Sequence, residues 1–143
     1  MSKKKAEKRV IGRKDKVDFP TMKLFDIDAK VDTGAYTSAI HCHNVKVKET
    51  GRGKYVSFNL LDPDHPRYNE KRFRLPLYKK KRIKNSFGKT EERCIIKTYI
   101  RLFGEKFEIE LSLSDRSNMD NPVLLGRKIL KKNFVVDVSR ANL

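Results

Sequence analysis

Between residues 94 and 113 the side chains that favour a core fall at every second position. Ile96, Thr98, Ile100 and Leu102 share one parity, and past Phe103-Gly104-Glu105 so do Phe107, Ile109, Leu111 and Leu113. A helix would scatter residues two apart around its circumference, whereas a strand puts them on one face. The spacing therefore predicts two antiparallel strands joined by a tight turn at Gly104, each with one face in a core.

The same alternation recurs elsewhere. Val10-Ile11 precede Gly12, and Val17 and Phe19 precede Pro20. From Leu24 to Val31, Phe25, Ile27, Ala29 and Val31 are set against Leu24, Asp26, Asp28 and Lys30, which predicts a half-buried strand running into Asp32 with the apolar set inward. Val45, Val47 and Tyr55 to Leu60 flank Thr50-Gly51-Arg52-Gly53, the pattern of a hairpin. Pro63 and Pro66 exclude an interior strand from residues 62–72, which read as a surface excursion. Lys79 to Lys84 lead toward a turn at Gly88, predicting a basic hairpin. Arg127 to Leu130 form one short helix before Phe134-Val135-Val136 returns to strand. The fold class expected is mainly β with one short C-terminal helix.

A chain of 143 residues, 38% of them hydrophobic, suffices for one core. Residues 1–9 are nearly all charged and read as a basic disordered arm, leaving 10–143 as a single domain. Two cysteines, Cys42 and Cys94, are too few for a disulfide framework, and no apolar run follows the basic start or approaches the length of a membrane span. A cytoplasmic protein with no membrane association is expected.

Lysine and arginine number 34 against 18 aspartates and glutamates, for a formal net charge of +16. Such a surface attracts polyanions without naming one: nucleic acid and a carboxylate-rich polypeptide would both release counterions from it.

The residues that bear chemistry are Val31-Asp-Thr-Gly-Ala35, placed directly after a predicted strand. An Asp-Thr-Gly triplet alone also fits an ordinary turn between strands. Here it is followed by Thr37, Ser38 and the apolar pair Ala39-Ile40, and a second segment, Pro122-Val-Leu-Leu-Gly-Arg-Lys-Ile-Leu130, comes late in the chain. Together these resemble the catalytic turn of retropepsins and the apolar-apolar-Gly-Arg segment that backs it. Cys94 to Leu113 is similar to the hairpin that follows the flap in those proteases, and the basic hairpin around Gly88 falls where the flap would be. Ala29-Lys-Val-Asp-Thr-Gly-Ala35, Thr37-Ser-Ala-Ile-His41, Leu113-Ser-Asp-Arg-Ser117, Met119 and Leu124-Leu-Gly-Arg127 resemble a narrower bacterial family known as ATP-dependent zinc proteases or retropepsin-like endopeptidases.

The resemblance implies a closed or barrel-like acid-protease fold and an aspartic-type endopeptidase. Asp32, Thr33 and Gly34 would form the catalytic turn, with Thr33 locking it by hydrogen bonding. Ala35, Lys81, Arg82, Lys84, Gly88 and Arg127 would contact substrate, and Leu125, Gly126 and Asp115 would support the site. Members of that family are associated with ATP-grasp ligases that add glutamate tails to a ribosomal protein, so the implied substrate is an acidic polypeptide and the implied partner such a ligase. Since the chain has one Asp-Thr-Gly, the second carboxylate would come from Asp32 of a second copy in a homodimer, with Asp115 the alternative. Retroviral proteases place an aspartate four residues beyond the catalytic one, paired with the arginine after Leu-Gly. Position 36 here is Tyr, so Arg127 must find another partner.

No cofactor is expected. His41 and His43, two apart on a strand, invite a zinc reading, but zinc draws three or four ligands at recognisable spacing and His65 lies in a polar loop without fixed relation to them. No Gly-x-x-x-x-Gly-Lys-[Ser/Thr] loop is present to seat ATP. The competing reading is a non-catalytic basic module that holds RNA or an acidic protein, with Tyr55, Phe58, Tyr68 and Phe73 as stacking groups or, equally, as core aromatics.

Overall fold

The computed structural model describes residues 7–84, 88–114 and 121–143, Lys84 in its backbone only. The strands are β1 (Arg9–Ile11), β2 (Lys14–Phe19), β3 (Leu24–Val31), β4 (Ser38–Thr50), β5 (Gly53–Leu60), β6 (Arg72–Pro76), β7 (Lys79–Lys84), β8 (Thr90–Leu102), β9 (Glu105–Ser114), β10 (Val123–Leu125) and β11 (Phe134–Val136). Besides a single 3-10 turn at Pro20–Met22, one α-helix among the described residues, α1 (Arg127–Asn133), extends three residues beyond the predicted Leu130. None of their helices is long and apolar enough to cross a membrane.

The hairpin read first from the sequence organises the rest. β8 and β9 pair antiparallel from Cys94↔Leu113 to Leu102↔Glu105, which leaves a two-residue turn. Phe103 and Gly104 both have positive φ, 52° and 76°, as a hairpin turn matching the strands' right-handed twist requires. A phenylalanine adopts that backbone at a cost. Its ring is held by Phe134, 6.0 Å away between centroids, and by the Arg9 guanidinium 4.0 Å above it. Ile96, Thr98, Ile100 and Leu102 are buried as their alternation predicts.

From this hairpin the pairings close on themselves. β8 pairs β2, β2 pairs β3, β3 pairs β10 in parallel, β10 pairs β4 antiparallel, and β4 runs parallel to β9. The resulting ring of strands encloses a core that includes Phe19, Ile27, Ile40, Ile96, Leu111 and Leu125. This is the mainly β, closed, retropepsin-like architecture expected. The far half of β4 leaves the ring to pair with β5, and β5 with β6, while β7 pairs the outer half of β8 as the predicted basic hairpin.

β3 departs from strict alternation. Val17 pairs Ile27 but Phe19 pairs Leu24, so Phe25 and Asp26 together oppose Asp18 in a bulge. Asp26 sits at φ 62°, and its N–H donates to the Asp18 carboxylate at 2.7 Å. The extra residue flips the parity: Leu24 is buried and Phe25 is 48% exposed, the reverse of the expectation for those two positions.

The first and last described strands meet. β1 lies parallel to β11, Lys8 Nζ donates to the carbonyl of Lys131, and Arg13 N–H donates to the carbonyl of Arg140. Arg9, counted with the basic arm in the sequence reading, is thus a strand residue. Gly12 allows the closure, for a Cβ there would stand 2.3 Å from the Arg140 oxygen.

Candidate active site

β3 ends at Val31, β4 begins at Ser38, and the two do not pair with each other. β10 lies between them, with Leu125 opposite Val31 and Leu124 opposite Ala39. The intervening residues 32–37 must therefore bridge over the end of β10. That placement turns the Asp-Thr-Gly triplet out of the sheet and puts Leu125-Gly126 directly beneath it.

The bridge is fastened from below. Asp32 N–H donates to the Leu125 carbonyl at 2.9 Å, continuing the parallel ladder by one bond. Arg127 N–H donates to the carbonyl of Ala35 at 2.8 Å and Lys128 N–H to that of Tyr36 at 3.0 Å. These belong to the first turn of α1, whose N–H groups have no partner within the helix, so loop and helix satisfy each other. The buried Ser38 hydroxyl accepts from Gly126 N–H at 3.1 Å. Gly126 must lack a side chain here, since a Cβ would stand 2.6 Å from the Tyr36 oxygen.

Within the turn, the Asp32 Oδ1 accepts from Gly34 N–H at 3.0 Å, which fixes the carboxylate's rotamer. Arg127 Nη1 donates to the Thr33 carbonyl at 2.9 Å. Thr33 thus joins the turn through its carbonyl, while its hydroxyl is exposed without a partner among the described residues. Asp32 itself is half-buried, Gly34 is exposed and Ala35 half-buried. The structure thus brings Asp32, Thr33, Gly34, Ala35, Leu125, Gly126 and Arg127 together. Asp115 lies outside the described residues, as does the Lys84 side chain.

The basic hairpin approaches the same loop. Lys81 of β7 places Nζ 3.5 Å from the Thr37 hydroxyl and 5.2 Å from the Tyr36 ring centroid. Arg82 is exposed on that strand opposite Glu92, and Gly88, at φ 81°, lies beyond its tip. At the base of the hairpin, Glu110 of β9 pairs with both Lys79 of β7 and Lys128 of α1, tying hairpin to helix. Glu110 was not singled out from the sequence, since it sits in an alternating strand like any outward charge.

His41 is buried, and its Nε2 lies 2.7 Å from the Asp62 carboxylate, which pins the start of the 62–72 excursion to β4. His43 stands 6.2 Å from Tyr68 between ring centroids. Among the described residues no three His, Cys, Asp or Glu side chains are grouped to hold a metal ion. Of the aromatics considered for stacking, Phe58 is fully buried and stacks on Phe73, which makes that pair part of the core.

Known proteins converge on this architecture. A crystal structure of a Legionella pneumophila protein of unknown function superimposes with a TM-score of 0.75 over 95% of this chain and 98% of that one, at 23% identity, which speaks to the fold. Proteins named "Probable alpha-L-glutamate ligase" from Desulfotalea psychrophila and Shewanella pealeana are each 35% identical, over 91% and 94% of this chain. The chain spans only 28% and 29% of their lengths. Residues 10–143 match the family described as "Retropepsin-like aspartic endopeptidase RimB". With a match that reaches from β1 to the last residue and includes both the Asp32 bridge and the β10–α1 segment beneath it, the chain belongs to the RimB-like family of retropepsin-like aspartic endopeptidases.

Proposed function

We propose that this protein is an aspartic-type endopeptidase that hydrolyses peptide bonds in an acidic, glutamate-rich polypeptide, with Asp32 as its catalytic carboxylate. The observation that supports this most is the construction of the Asp32 bridge. An aspartate raised out of the sheet is held by Leu125, Gly34 and the Arg127 contact to Thr33, faced by a hairpin of lysines.

The chemistry needs two carboxylates sharing one proton, because like charges about 3 Å apart do not both ionise near neutral pH. The ionised one takes a proton from the water between them as that water attacks the scissile carbonyl carbon. The protonated one donates to the carbonyl oxygen. When the tetrahedral centre collapses, the C–N bond breaks and the amine nitrogen takes up a proton, leaving a carboxylate and an amine. One chain supplies one Asp-Thr-Gly, so in this reading the second carboxylate is Asp32 of a twofold-related copy. The exposed Thr33 hydroxyl and Gly34 are then free to meet that copy.

The acidic substrate is supported by the net charge of +16 and by the relatives, named for joining α-L-glutamate, about a quarter of whose length resembles this chain. A hydrolase of glutamate-rich chains is the chemical counterpart of such a ligase.

The test is incubation with a glutamate-tailed polypeptide and mass spectrometry of the new ends, for the wild-type protein and for Asp32→Asn with its fold verified by circular dichroism. Loss of at least about 10³-fold in rate is expected from removing the acid–base group. Cleavage that persists in Asp32→Asn eliminates this mechanism.

A further inference from the structure

Tyr36 lies on the Asp32 bridge, its carbonyl accepting from Lys128 N–H at 3.0 Å. Its ring, 41% exposed, is surrounded by cations: Lys81 Nζ at 5.2 Å from the centroid, Lys131 Nζ at 5.7 Å, the Arg127 guanidinium at 5.8 Å and Lys128 Nζ at 6.0 Å. They come from separate elements. Lys81 is on the β7 hairpin, while Arg127 and Lys131 stand one helical turn apart on α1. Lys128 shares the Glu110 carboxylate with Lys79, but Lys81, Arg127 and Lys131 pair with no carboxylate among the described residues.

Gathering three uncompensated positive charges around one ring is unfavourable by Coulomb's law, and the negative face of a tyrosine offsets only part of it. Arg127 spends one nitrogen on the Thr33 carbonyl and retains the rest of its planar donor fork, the geometry that matches a carboxylate. Beside the ring a cavity of about 400 Å³ opens, with Tyr36, Lys128 and Lys131 in its wall together with Glu108 and Glu110, while Lys81 and Arg127 stand outside it on the Asp32 side of the ring.

We propose that Tyr36, Lys81, Arg127 and Lys131 form a subsite for a glutamate side chain of the substrate, one that selects acidic residues beside the Asp32 turn. The proposal rests on the peptidase reading for its substrate class, but its test is a binding measurement that does not require turnover. Lys81 and Lys131 supply point charges, Arg127 supplies the fork, and Tyr36 is the ring around which all three gather.

The experiment measures the dissociation constant of a fluorescent oligoglutamate by anisotropy, in an Asp32→Asn background so that nothing is cleaved. Lys81→Gln with Lys131→Gln is expected to weaken binding about tenfold or more, which corresponds to about 1.4 kcal/mol. Lys46→Gln with Lys48→Gln removes the same charge roughly 30 Å away along β4 and is expected to change binding less than about threefold. Tyr36→Leu should weaken binding with no change in charge, and Tyr36→Phe should restore it. Thermal melts verify that each variant is folded. Equal weakening by the two lysine pairs would reduce the effect to net charge and overturn the subsite. So would an oligonucleotide of equal charge that binds tighter and depends on the same lysines. Should oligoglutamate binding follow the expected pattern while the wild-type protein cleaves nothing, the subsite stands and the peptidase reading fails. Should Lys81→Gln with Lys131→Gln cleave acidic polypeptide as well as the wild type, with Asp32→Asn inactive, the peptidase reading stands and the subsite fails.

Discussion

Two glycines fix what the Asp32 bridge tolerates. A Cβ at Gly126 would stand 2.6 Å from the Tyr36 oxygen and 2.8 Å from the Thr37 carbonyl carbon, both backbone atoms that move only if the bridge moves. Gly126→Ala is expected to destabilise by about 2–3 kcal/mol as an overpacked contact, seen as a fall of about 5 °C or more in Tm by calorimetry. Gly51→Ala, where a Cβ meets nothing within 4 Å, is the control and should stay within about 0.5 kcal/mol. A Cβ at Gly34 would meet only the Asp32 Oδ1, at 3.2 Å, so there the effect falls on the carboxylate's position rather than on stability. At this scale the sequence was informative about Asp32, Gly126 and Arg127 because their order and spacing resemble a known turn. It was silent about which side chains hold Thr33, because a contact from Arg127 to a backbone carbonyl 94 positions away leaves no trace in residue spacing.

Strand periodicity was the most legible signal at the level of elements. β8 and β9 lie where their alternation puts them, and Ile96→Ala, in a fully buried position of β8, should cost about 2–5 kcal/mol by denaturant titration. Alternation failed where one residue was inserted: nothing in Leu24-Phe-Asp-Ile27 announces that Asp18 will capture the Asp26 N–H and reverse the faces. The excursion after β5 was legible from its prolines, but its pH sensitivity was not. Burial holds His65 below the ordinary histidine pKa, and its Nδ1 accepts the N–H of Arg67 at 2.9 Å, a role only the neutral ring can fill. A depressed histidine pKa contributes stability that is present above the unfolded value near 6.5 and is lost as pH falls through the folded one. Amide protection factors in residues 61–71, corrected for the intrinsic slowing of exchange in acid, should therefore fall on acidification below about pH 6.5, and His65→Asn should flatten that dependence.

Over the whole molecule, charge and assembly set the behaviour that no single residue shows. With a net charge of +16, association with an acidic polypeptide should weaken at least about tenfold as salt rises from low to above physiological ionic strength, since screening shortens the reach of the field. The closed ring, the joined first and last described strands and the Asp32 bridge belong to one copy, whereas the proposed chemistry needs carboxylates from two. That need was inferred from the count of Asp-Thr-Gly triplets, and a single chain's fold does not address it. Mixing addresses it most directly. Wild-type protein is co-refolded with increasing excess of Asp32→Asn, and cleavage of a glutamate-tailed polypeptide is measured per wild-type chain. If paired Asp32 side chains do the chemistry, activity falls toward zero as wild-type pairs are diluted into mixed ones; activity per wild-type chain that stays constant under large excess, with mixed dimers demonstrated, contradicts it.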